Sequence, residues 1–572
     1  MHTVELVLVV VLLGALTGIV ARYLRAIPLP LIQIALGATL SWPRQGLHIA
    51  FDPELFLALF IPPLLFADGW RIPKREFFAL QGPILRLAFG LVFFTVLGLG
   101  TLIHWMLPEI PLAVAFALAA VVSPTDAVAV SAITRNLGMP ARTMHVLQGE
   151  SLLNDASGLV ALKFAVAAVL TGTFSWAAAV REFLWIALGG LALGALLGWG
   201  FATAREAVTR RVGDVAATQM VLLLVLLPFA AYLLSESIGV SGILAAVAAG
   251  FATNFADLRR SAFIAERIQT EGVWTMMESA FNGAVFLLLG LQLPSIVGST
   301  LEAAGESWWL PVVQALAISV GLLGLRWFWL ALGVRRSLWR AHERGRMAEH
   351  PSPLLTLAAT LAGIRGAVTL AGALSIPLLM ADGSPFPGRD ALVFLATGTI
   401  LCTLVIGSIG LPMVLRRLPP PDESSLARED REARLAACRA AIEFLAQPPQ
   451  QARDDEPTWR TQFQEAAGRL TQDYRKRIDM LEAPDAAQTP EAQAESPEAV
   501  RERRRRYLVE MELRLQALRV EREALYAERH AQRINDEALR ALVAELDLSE
   551  VALRKRLAVA RRALGLPVGE GD

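Results

Sequence analysis

Long apolar runs, broken at nearly regular intervals by short polar stretches, fill the chain from its start to about residue 418. A membrane-crossing helix needs about 20 predominantly apolar residues, and shorter or interrupted ones occur in transporters. On that measure spans are predicted near 4–22, 27–41, 54–70, 80–107, 112–134, 143–170, 180–204, 215–234, 240–254, 272–293, 308–333, 352–379 and 390–415. The pattern is therefore that of an all-α polytopic membrane protein with about thirteen transmembrane helices. At Leu418-Pro419-Pro420-Pro421-Asp422-Glu423 the apolar part, 1–417, gives way to sequence dominated by Arg, Glu, Ala and Gln. Residues 418–482 read as an amphipathic helical segment and 483–500, rich in Ala, Pro, Gln and Glu, as a flexible linker. From 501 to 572 a helical hairpin or short coiled coil is predicted, giving a C-terminal helical cytoplasmic domain. Leu508, Met511, Leu515, Leu518 and Leu525 keep alternating three- and four-residue spacing there, broken only at Arg522.

Charge tests the span count independently. Every second connection is basic, from Arg22 and Arg25 through Arg71, Lys74 and Arg75 to Arg416 and Arg417. The alternate connections carry only Arg44, Arg181 and Arg389. A miscounted span would break this alternation. The basic set is cytoplasmic by the positive-inside rule, which puts the N-terminus outside and the C-terminus inside. Composition agrees: 54% of the 572 residues are apolar, and mean hydropathy is +0.47. Formal net charge is zero and says nothing about partners; no feature points to nucleic acid. The apolar start lacks a basic leader and a small-residue cleavage site, so it reads as the first span rather than a signal peptide. Two cysteines, Cys402 and Cys438, cannot build a disulfide framework.

Several spans contain groups that apolar packing does not explain. Leu147-Gln148-Gly149-Glu150-Ser151-Leu152-Leu153-Asn154-Asp155 puts two carboxylates inside one of them. Ionisable residues there are costly and are functional-site candidates by default. Ser151 and Asp155, four apart, share one helix face and offer hard oxygen ligands to a small cation. Glu150 and Asn154 form a second pair on the adjacent strip. The blander reading is a polar network that merely holds helices together. Ser123-Pro124-Thr125-Asp126 places a helix-breaking proline and an acid in mid-span, where freed carbonyls become ion ligands. In Gly363-Ile364-Arg365-Gly366-Ala367-Val368, a mid-span arginine needs a partner, and Glu150, Asp126 and Glu278 are the candidates.

Asp68, beside Pro62 and Pro63, is expected to pair with Arg71 or cap a loop, with an accessory place at the ion site as the alternative. Glu278 and Asn282, four apart on one face, fit a polar seam or the site equally. Arg86, Lys163 and Arg326 are expected to snorkel towards an interface. The histidines, including His104 and His145, show no metal-ligand spacing. The Arg503-Arg504-Arg505-Arg506 cluster is read as a solvated helix face, with anionic lipid as the alternative contact. The tail is expected to bind a regulator or support self-association.

A carboxylate shielded from water is penalised when bare, so it holds a proton or a cation. Such a group at Asp155 makes protons and cations compete for one site, which is antiport in chemical form. If Asp155 alone titrates, the exchange is one for one and electroneutral, with Glu150 neutralised by Arg365. A cation channel or an electrogenic exchanger is the alternative. A hydrolase is disfavoured because Ser151 has no histidine at suitable spacing and no elbow-type glycine motif.

The Ser123–Asp126, Gly149–Asp155 and Gly363–Val368 strings resemble the sodium/proton exchangers of the cation:proton antiporter-1 family. Pro62-Pro63-Leu64-Leu65-Phe66 and Ser241-Gly242-Ile243-Leu244-Ala245 look like further family segments, so the resemblance spans 1 to about 417. It implies a homodimer in the bacterial inner membrane, with inverted repeats, crossed discontinuous helices and no cofactor. It implies electroneutral exchange of sodium, sometimes lithium or potassium, for protons, with a role in pH and sodium homeostasis. It implies ion contacts from Asp155, Asp126, Ser151 and the Thr125 backbone, Asn154 bridging the crossed helices, and a Glu150–Arg365 ion pair. The chain departs from the family in having Ala127 where members often have Pro. It also has Ala67-Asp68 where many bacterial members carry a Glu.

Overall fold

The computed structural model describes residues 2–24, 27–42, 53–134, 137, 139–171, 176–212, 217–257, 264–304, 307, 309–343, 352–380, 383–418, 424–446, 457–482, 497–530, 536–564 and 566. They divide into two compact units, Met1–Pro421 and Asp422–Asp572.

The first unit begins with α1 (His2–Tyr23), α2 (Leu29–Ser41), α3 (Pro53–Arg71) and the short α4 (Lys74–Ala79). Then α5 (Gln81–Leu85), a π-helical stretch (Arg86–Leu91) and α6 (Val92–Met106) run on as one rod. After α7 (Leu112–Val121) and α8 (Ala127–Thr134) come α9 (Ala141–Thr171), α10 (Trp176–Val212), α11 (Ala217–Ser237) and α12 (Gly242–Asp257). The unit closes with α13 (Ile264–Ala304), α14 (Trp309–Glu343), α15 (Pro353–Leu361), α16 (Ala367–Leu374) and α17 (Arg389–Leu415). Each predicted span coincides with a helix, the rod, or a pair of half-helices. Seven of the helices are long and apolar enough to cross a membrane individually. Large apolar side chains such as Trp185, Leu196, Leu222 and Ile409 stay exposed, as a lipid solvent permits.

Without a hydrophobic drive between helices in lipid, small residues allow close backbone approach. Gly190, Gly194 and Gly198, spaced four apart on α10, lie against Ser241, just before α12, and Ala245 and Ala249 within it, and an added Cβ at any of them would strike that backbone. Gly37 and Gly290 play the same part between α2 and α13. Lys74, counted by charge as a loop cation, is buried instead. Its Nζ donates to the last carbonyls of α3, Gly69 O (3.0 Å) and Trp70 O (2.9 Å), under the Phe251 ring.

Two spans are interrupted. Residues 123–126 separate α7 from α8, and residues 363–366 separate α15 from α16. Pro124 accounts for the first break, because it cannot donate to the helical ladder. The flanking glycines Gly363 and Gly366 permit the second.

The second unit holds α18 (Ser424–Ala446), α19 (Pro457–Leu481), α20 (Pro497–His530) and α21 (Asp536–Ala563). The predicted linker falls largely on 483–496, outside the described residues, and from Pro497 the chain is already helical. α20 and α21 pair antiparallel as a hairpin. Arg522 bonds Asp547 (2.7 Å) and Glu550 (2.5 Å), and further along Arg561 bonds Glu512 (3.1 Å). Arg522 breaks the apolar stripe because it ties the two helices together. Arg504 is buried, contrary to the solvated reading of its cluster, and its guanidinium reaches Asp479 O at 3.5 Å.

Hydrogen bonds from Arg522 and Arg554 hold the Glu550 carboxyl below its ordinary range. A carboxyl lowered in the folded state stabilises above its unfolded pKa, and that contribution goes as pH falls through the folded value. Protection of the α20 and α21 amides against hydrogen exchange, taken relative to the intrinsic rate at each pH, is therefore expected to fall only at pH well under about 4.3. In Arg522→Gln the same loosening should begin at higher pH; an unchanged profile would show the bridge to be inert.

Candidate functional site

The two breaks meet. The Asp126 N–H donates to Ile364 O at 2.8 Å, joining one interrupted span to the other through main-chain atoms. Broken helices are tolerated at membrane depth only where such partners re-satisfy the freed groups. Asp126 Oδ1 accepts from Val128 N (2.9 Å) and Ala129 N (3.0 Å), so the carboxylate caps α8. It also lies at the start of α16, where a Cβ on Gly366 would collide with its carboxyl atoms. Two helix N-termini, each with a partial positive charge, thus face one acid. At the other end of the crossing, the Arg365 guanidinium donates to Ser123 O and, at 2.6 Å, to Pro124 O. It takes up the carbonyls that the break in α7 sets free.

α9 passes beside the crossing. Ser151 Oγ donates to Thr125 O (2.8 Å) and accepts from Ala127 N (3.2 Å). One turn on, Asn154 Nδ2 donates to Thr125 Oγ1 at 2.8 Å. Ser157 Oγ donates to Ala88 O (2.6 Å), within the π-helical stretch, so α9 is fastened on its other side as well. Asp155, on the same face as Ser151, is only 7% exposed and makes no hydrogen bond or ion pair with any described residue. It lines a cavity of about 40 Å3 with Asp126, Asp68, Ser151, Thr125, Asn282, Gly366 and Thr369. On this measure one water needs about 10–15 Å3, so the space suits a small cation or a few waters.

Some sequence expectations fail here. Glu150 does not form its ion pair with Arg365. Both its oxygens are bonded by Arg326, the second at 2.8 Å, and both side chains are 1% exposed. Arg326 therefore does not snorkel; its Nε also donates to Ala359 O at 3.0 Å. Lys163 and Arg86 sit at exposed positions, Lys163 within 3.5 Å of Glu236. Arg71 bonds Glu278 rather than Asp68, which also removes Glu278 as a partner for Arg365. Asp68 is left at the cavity, and Asn282 reaches it while Glu278 does not. His104 is satisfied by Ile110 O at 2.9 Å.

Thr369 was not singled out from the sequence. Its buried Oγ1 has no hydrogen-bond partner among the described residues, and its residue lines the cavity. Its place three residues after Gly366, in the first turn of α16, was the available signal.

A family profile described as "Sodium/hydrogen exchanger, transmembrane" matches residues 8–417. The chain belongs to the sodium/hydrogen exchanger family. The exchanger is 44% identical over 555 residues to the uncharacterised Na+/H+ exchanger YjcE of Escherichia coli K12, covering 96% of this chain and 98% of that one. It is also 44% identical over 440 residues to the sodium, potassium, lithium and rubidium/H+ antiporter of Bacillus pumilus. That match covers 77% of the exchanger and 65% of the relative. In fold it is similar to the sodium proton antiporter MjNhaP1 of Methanocaldococcus jannaschii, with a TM-score of 0.55 at 19% identity. The match takes in 73% of the exchanger and 99% of that structure.

Gly366 is the exchanger's tightest requirement at the crossing. Gly366→Ala forces Asp126 aside or separates the two breaks, an overpacking cost of about 1–3 kcal/mol. Expected is a protein that reaches the membrane in normal amount but exchanges at least tenfold more slowly, read as cation-dependent proton movement in everted vesicles.

Proposed function

We propose that the chain exchanges one monovalent cation for one proton, electroneutrally and by alternating access, with both ions competing for Asp155. One observation carries this reading: a buried carboxylate with no hydrogen bond or ion pair among the described residues, lining a small cavity beside the two helix breaks. Such a group requires a compensating positive charge, and a proton or a cation supplies it. Asp126, Ser151 and Thr125 would complete the oxygen set, with Thr369 as a further donor. Asn154 would hold the crossing together without changing its charge. Glu150 is neutralised by Arg326, so it takes no part in the exchange.

Three carboxyls line the cavity, those of Asp68, Asp126 and Asp155. Asp126 caps α8 and lies at the start of α16, where two helix N-termini, each worth roughly half a positive charge, already compensate it. A stoichiometry of one then follows if Asp155 is the acid that titrates. Sodium is the expected cargo, with potassium or lithium accepted, in keeping with the ions in the name of the Bacillus pumilus relative. The alternation of basic connections favours an N-terminus outside and a C-terminus in the cytoplasm, and the bacterial relatives favour the inner membrane. A homodimer, a role in pH and sodium homeostasis, and a tail that binds a regulator or self-associates belong to the same reading.

Asp68 and Asp126 also line the cavity, which keeps electrogenic exchange as the second reading. Proteoliposomes with an imposed pH gradient and an ionophore-set membrane potential separate the two. Uphill sodium uptake at a rate indifferent to potential is expected. A potential-dependent rate overturns the one-for-one stoichiometry, and sodium flow without proton counter-movement overturns exchange altogether.

A further inference from the structure

The C-terminal unit forms an open cavity of about 340 Å3 where α18, α19, α20 and α21 come together. That is within the range of small-molecule sites, about 300–1,000 Å3. Four cations line it: Arg434, Arg477, Lys555 and Arg556. No acid does. The acids nearby are committed elsewhere: Glu510 to Lys476 (3.3 Å) and Arg514 (2.7 Å), Glu512 to Arg561, Glu482 to Arg439 (2.9 Å), and Glu550 to Arg522 and Arg554. Arg477, Lys555 and Arg556 form no ion pair with any described residue. Like charges gathered without counter-charge repel one another, and an anionic ligand relieves that repulsion.

The other walls narrow the ligand's chemistry. Tyr474 and Tyr507 flank the space, and the Arg477 guanidinium lies over the Tyr474 ring at 4.9 Å. That stacking holds a planar fork ready for phosphate oxygens. The floor is apolar, from residues including Met480, Val559 and Ala560. A ligand matching all three surfaces carries phosphate at one end and a flat aromatic group at the other. Inorganic phosphate leaves most of the volume and the Tyr507 ring unused. A lipid headgroup meets the cations and gives that ring nothing to stack on.

We propose that this cavity is a nucleotide-binding site, with the phosphates held by Arg477, Arg556 and Lys555 and the base against Tyr507. The site is separate from the membrane cavity and does not depend on how exchange proceeds there.

The test is calorimetric titration of the purified full-length protein in detergent. The probes are AMP, ADP, ATP, a cyclic dinucleotide, inorganic phosphate and dioctanoyl phosphatidic acid. Saturable binding of at least one nucleotide is expected, at concentrations where phosphate and the lipid do not bind. The double variant Arg477→Gln/Arg556→Gln should weaken it about tenfold or more. Tyr507→Phe should leave it unchanged, Tyr507→Leu should weaken it, and Arg469→Gln, exposed on α19 away from the cavity, should not matter. Lys555→Gln, at the exposed rim, gives the same reading should the double variant fail to fold. The assignment is overturned if no nucleotide binds up to millimolar concentration, if the phosphate or the lipid binds as well as any nucleotide, or if the cavity variants bind like wild type.

Discussion

Asp155→Asn is expected to reduce cation-dependent proton movement to that of protein-free vesicles, while the protein remains folded and inserted. Asparagine matches aspartate in shape, and no described residue depends on the Asp155 carboxylate for a hydrogen bond. The substitution therefore removes the charge and the exchangeable proton and little else. In the wild type, competition has a second signature. Where the site is largely protonated, each unit fall in pH should raise the apparent sodium KM about tenfold, while saturating sodium restores the rate. A pH effect on the maximal rate alone would contradict a shared site, and exchange retained by Asp155→Asn would remove this residue from the mechanism. Asp155→Glu, with its charge kept and its reach lengthened, should retain measurable exchange.

The second large effect concerns stability. Glu150 and Arg326 are buried together, with both carboxylate oxygens bonded by the guanidinium. Removing one partner from a buried pair leaves a bare charge and costs about 3–5 kcal/mol. Glu150→Leu alone should strip most folded protein from the membrane, and Arg326→Met alone should do the same. Combined, the two should recover much of the loss, because well-packed apolar pairs often replace buried ion pairs without penalty. Arg365→Met should not rescue Glu150→Leu, since Arg365 serves the Ser123 and Pro124 carbonyls. A double-mutant cycle on thermal unfolding in detergent measures both couplings. Rescue by Arg365→Met instead would restore the pairing that family resemblance implies.

That contrast marks where sequence reading ends. The spans are legible because each must carry enough apolar residues to cross a bilayer, and the charges between them check the count. Both helix breaks are legible because Pro124 and the glycines around Arg365 act locally. The Ser151 and Asp155 face follows from helical period alone. Partner choice between distant helices has no such local code. Glu150 and Arg326 are 176 positions apart, and Arg71 and Glu278 are 207 apart. Arg326 and Arg365 look alike in sequence, each an arginine inside an apolar run, and only the packing of α9 against its neighbours assigns the acid to one of them. Asp68 illustrates the same limit: once Arg71 turns to Glu278, the acid that sequence gives to a loop stands at the cavity. In the tail, heptad-like spacing reveals the hairpin but not the cavity, which requires four helices to converge.

The main-chain bond from Asp126 to Ile364 has one more implication. Because the donor is an amide, the seam itself does not depend on the carboxyl at position 126, and proline is the residue that would delete it. The carboxyl has its own structural duty as the cap of α8 and fits closely against Gly366. Ion preference at this crossing is therefore more freely retuned at residues that line the cavity without capping a helix, such as Thr369.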